Sequence, residues 1–171
     1  MKLVQNTTSI PSDVIERILD ELDPDNLSCA VKVKNTWKRR DYHGTFYPYL
    51  AGSLISPKGK RYQLGGGKYA CKHLVTIYVP VETRDVILYR GSEALLDWPR
   101  DGRVFIEVDK REVGFRLVAA HEIEHVRREE FHQAQGELPA DAAMIREAKR
   151  LGLRIFRCDE EGDENERTPI H

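Results

Sequence analysis

From Glu112 to Gln133 the chain carries no proline and a single glycine, Gly114. A run of that length without a breaker predicts one long helix, and the rest of the chain has to pack around it. Phe115, Ala119, Ile123 and Val126 fall on one stripe at helical spacing. Val118, His121, Glu122, His125 and Glu129 fall on another, which turns polar at the histidines. The expectation is a helix buried on one side and open to a site on the other.

Within that run stands His121-Glu122-Ile123-Glu124-His125, the pattern H-E-x-x-H. Residues four apart on a helix lie one above the other, so His121 and His125 would aim two imidazoles at one spot. Neutral imidazole nitrogens are good zinc ligands, and a catalytic zinc takes three protein ligands. Glu122 sits one residue round, placed to accept a proton from an attacking water rather than to bind the metal. Such a short pattern also arises by chance, and paired histidines can hold a structural metal or none.

The downstream residues bear on that choice. Glu137-Leu138-Pro139-Ala140-Asp141 follows His125 after a linker of eleven residues and opens a helix-forming run. Glu137 and Asp141 would share a helix face. Glu137 can serve as third ligand, and Asp141 can accept the outward N–H of a ligating histidine and fix its tautomer. Pro139 pushes Leu138 out of helical angles unless both lie in the first turn, so Glu137 belongs at or just before the helix start. His132 is seven residues beyond His125, where a third histidine at six with an intervening glycine would be needed. Glu129 is carried away from the metal by the helix, and Glu130 faces elsewhere.

His121-Glu122-x-x-His125 with Glu137-x-x-Ala140-Asp141 resembles the core of the gluzincin zinc metallopeptidases, the thermolysin kind, and with its short linker most resembles the minigluzincins. The resemblance covers about residues 103 to 151. Met144 stands three places after the aspartate, where the family often has a small residue. The resemblance implies a zinc-dependent endopeptidase acting on a protein or peptide substrate. In that reading His121, His125 and Glu137 are ligands, Glu122 is the general base, and Asp141 stands behind a histidine. It also implies a zincin-like fold in which an edge strand, Arg103 to Val108, pairs with extended substrate before the metal helix. Tyr78, His73, His132 and Arg146 are the candidate oxyanion donors.

Length and composition frame this core. The 171 residues suit one domain, residues 1 to 157, with a basic β-rich part (28 to 72) and the metal part (103 to 151). No apolar run is long enough for a membrane span, and the N-terminal residues do not open a signal-peptide core, so a cytoplasmic protein is the expectation. Cys29, Cys71 and Cys158 are odd in number and widely spaced, which fits a reducing compartment. Charge is lopsided. Residues 28 to 72 carry ten lysines and arginines against Asp41 alone, a net of +9, whereas 159 to 166 carry six acids and no base.

In order, residues 1 to 9 read as a loose lead-in and Asp13 to Leu22 as a helix capped by Ser12. Ser28–Trp37, Phe46–Leu50, Gly52–Ser56 and Lys60–Leu64 follow as strands, the last two joined by a turn at Pro57-Lys58-Gly59. Lys72–Val79, Asp85–Tyr89 and Arg103–Val108 are further strands, with a helical turn near Glu93–Trp98. The order predicts an α+β fold with a small, mainly antiparallel sheet. Leu153 to Phe156 reads as a last strand or cap, and 158 to 171 as a disordered acidic tail able to lie on the basic segment or the cleft, with Cys158 near the metal. Aromatics interleaved with lysine and arginine in the basic part support a different function class, a non-catalytic or regulatory module binding nucleic acid or a protein partner.

Overall fold

The computed structural model describes residues 1–36, 41–48, 52–55, 57–59, 61–64, 69, 71–88, 91–97, 102–128, 137–158 and 168–170. The fold is α+β, with three α-helices and mixed sheets. It begins with β1 (Lys2–Asn6), α1 (Ser12–Leu22) and β2 (Cys29–Thr36), and β1 pairs parallel to β2. The lead-in is therefore a strand. Its alternation is too short and too polar to announce it, and its partner lies a whole helix away. Ser12 does not cap α1: Pro11 stands at the cap position, and the Ser12 hydroxyl instead accepts from Asn6 Nδ2 at 3.1 Å.

β3 (His43–Pro48), β4 (Gly52–Ile55), β5 (Arg61–Leu64) and β6 (His73–Pro80) follow. β6 enters beside β2, parallel to it, and β3 pairs antiparallel on its far side, giving the order β1-β2-β6-β3. The expected mainly antiparallel sheet is thus mixed, because the β1–α1–β2 crossover and the return of β6 each impose a parallel pairing. β4 and β5 form the anticipated hairpin, with Gly59 at φ 76° in its turn.

A second sheet is built from β7 (Val86–Ile87), β8 (Arg103–Ile106), β9 (Ile155–Cys158) and β10 (Thr168–Ile170), all antiparallel in the order β10-β9-β8-β7. Two expectations change here. β8 is not an edge strand: Ile106 and Phe105 pair with β7 on one side, and residues 103 to 106 pair with β9 on the other. Part of the supposed tail is ordered as strand, since Thr168–Ile170 add to β9 and Cys158 pairs with Arg103. The six acids lie outside the described residues.

The long helix, α2 (Arg111–Arg128), is buried on more than one stripe. Phe115, Leu117, Val118, Ala119, Ile123 and Val126 are all inside, because the first sheet, α1 and α3 (Glu137–Arg150) pack around it. A helix packed against other elements on several sides is a central helix, not a surface one. Residues 129 to 136, including Glu129, Glu130 and His132, lie outside the described residues. Arg111 fastens the entry of α2 to the sheet by donating to Pro80 O and Asn35 Oδ1, each at 2.8 Å. Gly152, at φ 68°, stops α3. Its N–H donates to Lys149 O, and Leu153 N–H donates to Ala148 O, the paired bonds of a left-handed helix end.

Candidate metal centre

Two helices supply the site. The H-E-x-x-H spacing puts His121 and His125 one turn apart on α2, their rings 4.8 Å apart and nearly perpendicular at 74°. α3 begins at Glu137, so Pro139 falls in its first turn, where a missing N–H breaks no helical bond. Glu137 is thereby kept helical and its carboxylate is turned onto the histidines.

The three donor atoms converge. His121 Nε2 and His125 Nε2 are 3.1 Å apart. Glu137 Oε2 is 3.1 Å from His121 Nε2, and Oε1 is 3.5 Å from His125 Nε2. Zinc bonds near 2.0–2.2 Å in tetrahedral geometry put neighbouring ligand atoms about 3.3–3.6 Å apart. The spacings lie within a few tenths of an ångström of that range, so the residues fit a divalent cation of about this size.

Behind the ligands, Asp141 is buried one turn beyond Glu137, and its Oδ1 lies 2.9 Å from His121 Nδ1. Asp141 Oδ2 accepts a hydrogen bond from Ser92, the first residue of a 3-10 helix (Ser92–Leu96). Sequence reasoning missed Ser92, because a lone serine carries no spacing signal.

Glu122 stands beside the triad, not in it, with Oε1 4.0 Å from His121 Nε2. It is 4 % exposed, and the chain above it is β3: a Cβ added at Gly44 would lie 2.1 Å from Glu122 Oε1. Burial raises the Glu122 carboxyl above its ordinary range, against the pull of His121 and His125. Burial works to lower His121, but hydrogen bonding to Asp141 and then Glu137 outweighs it and holds the imidazole at about 10. Bonding to His121 and then His125 holds Glu137 well below the usual carboxylate range.

The proposed oxyanion donors fare differently. Gly44 pairs with Ile77, and both face α2, so Tyr78 one residue on faces away from the site. His73 is four residues along β6 from Ile77, about 13 Å by strand rise. Arg146 is exposed and lies about 140° round α3 from Asp141. His132 is outside the described residues.

Compared with known proteins, the chain matches no family model, no curated protein and no solved structure.

Proposed function

We propose that this protein is a zinc-dependent endopeptidase of the gluzincin kind. The observation that carries the reading is the convergence of His121, His125 and Glu137 from two helices, with a buried carboxylate beside the triad but outside it. His121 Nε2, His125 Nε2 and a Glu137 oxygen would hold the cation. When bound, zinc supplies Lewis acidity, making water easier to deprotonate and a carbonyl easier to attack.

Glu122 does the proton work. Its carboxylate takes a proton as the water oxygen bonds to the scissile carbonyl carbon. It then returns that proton to the amide nitrogen as the C–N bond breaks, leaving a carboxylate and a free amine. Burial makes Glu122 a stronger base than an exposed glutamate. β3, last strand of its sheet among the described residues and laid against Glu122, takes the substrate-pairing role first expected of β8. An extended peptide adding to that edge gains main-chain hydrogen bonds next to the base.

The test compares parent and Glu122→Gln by metal analysis and cleavage of casein or a peptide library. Both proteins should carry zinc and only the parent should cut. Equal cleavage by both, or a parent without zinc, refutes the reading.

A second reading has its own observation. On the sheet face away from α2, Lys34, Tyr78 and His43 form one cross-strand row, with the two rings stacked 6.0 Å apart at 22°. A cation beside stacked rings suits single-stranded nucleic acid. Oligonucleotide affinity falling steeply with salt would support a binding role, and no binding at low salt would end it. No helix among the described residues is long and apolar enough to cross a membrane.

A further inference from the structure

We infer that Ser92 is a positioning residue of the metal centre, holding Asp141 so that Asp141 can hold His121. The inference rests on the metal reading above. Ser92 is completely buried and lies 49 residues before Asp141 in the chain. Its hydroxyl donates to Asp141 Oδ2, while Oδ1 of the same carboxylate meets His121 Nδ1.

The chemistry requires a partner there. A buried carboxylate has two oxygens to satisfy, and an imidazole N–H serves only one. The terminal torsion of an aspartate is soft, so a donor on the second oxygen restrains the carboxylate further. The serine donor occupies the second oxygen and fixes the plane of the group. With the plane fixed, Oδ1 selects the tautomer of His121 protonated at Nδ1, which leaves the Nε2 lone pair for a cation.

The local backbone is made for this delivery. Gly91 sits at φ 107°, a region that side chains rarely enter, and Glu93 Oε2 accepts the Gly91 N–H at 2.8 Å. The turn thus bonds itself and presents Ser92 to α3. Three separate elements meet in one line: the 3-10 helix, α3 and α2. A serine that merely filled space in the core would affect stability without touching metal affinity.

The experiment measures Zn2+ affinity by chelator competition for parent, Ser92→Ala, Asp141→Asn and the double variant. Solvent exchange of the His121 Nδ1 proton in the metal-free proteins is recorded beside it by NMR. Ser92→Ala should weaken zinc binding about 10-fold, in the range for groups that orient a ligand. It should cost nothing further in the Asp141→Asn background, because the serine acts through the aspartate. The His121 Nδ1 proton should exchange faster with solvent in metal-free Ser92→Ala. Parent-like affinity in Ser92→Ala, or an equal loss in both backgrounds, overturns the inference. If the parent binds no zinc, the metal reading fails by itself, and an unchanged exchange rate of the His121 Nδ1 proton in Ser92→Ala removes the serine's role as well. Should Ser92→Ala not fold, Ser92→Cys, a weaker donor of similar size, takes its place, and parent-like affinity there overturns the inference.

Discussion

Gly44 and Glu122 touch across the boundary between sheet and helix: a Cβ at 44 would lie 2.1, 2.4 and 2.5 Å from three atoms of the Glu122 side chain. Glu122 is held where it is by a residue with no side chain, contributed by a strand rather than by α2 or α3. Gly44→Ala should displace the carboxylate and leave His121, His125 and Glu137 in place. We expect zinc content unchanged and turnover reduced by at least about 10-fold, since small misplacements of a reacting group cost 100-fold. Metal analysis beside a peptide assay checks both halves.

Glu137 and Asp141 sit one turn apart on α3 yet meet His121 at different ring nitrogens, Nε2 and Nδ1. Glu137→Ala removes a donor atom and should abolish stoichiometric zinc. Asp141→Asn removes an orienting contact and should weaken zinc by roughly 10–100-fold. Equal losses from the two changes would contradict the assignment; chelator competition measures both.

Gly114 repeats the theme on the helix itself. A Cβ there would fall 2.1 Å from the Tyr42 ring, and Tyr42 is buried. Gly114→Ala gains about 1 kcal/mol in helix propensity but must displace a packed ring, which costs about 1–3 kcal/mol. The expected net is a loss in chemical denaturation. Tyr42→Leu in the same chain should relieve it.

Arg116 ties α1 to α3, donating to Glu21 at 2.6 Å and to Glu147 at 2.5 Å. Hydrogen bonding to Arg150, with Arg116 adding to it, lowers Glu147 below its ordinary range. A carboxyl lowered on folding contributes stability that is present above its unfolded pKa, about 4.3, and is lost as pH falls below that. Arg116→Met should cost about 1 kcal/mol at neutral pH, because solvent screens the pairs. The parent's loss of stability should also be shallower in the variant as pH falls from 5 to 3. Urea midpoints across that range decide it.

The convergence of His121, His125 and Glu137 was legible in the sequence because the three lie on two helices close along the chain. Periodicity alone puts 121 over 125 and 137 over 141. What escaped depends on pairing at a distance. β1 could not be read without β2, and the edge status of β8 could not be judged without β9, some fifty residues later. The approach of Gly44 and the placement of Ser92 have no local signature. A glycine in a strand and a serine after a turn look like any others. The one-sided view of α2 failed for the same reason, since three separate elements converge on it.

The two halves of this centre close loops of very different length. His121 meets Glu137 across sixteen positions of chain, whereas Glu122 meets Gly44 across seventy-eight. Loop-closure entropy rises with the logarithm of separation, so the ligand trio has the smaller ordering cost. On entropy alone, bringing α2 and α3 together at His121 and Glu137 is the easier step, and laying Gly44 over Glu122 is the harder one.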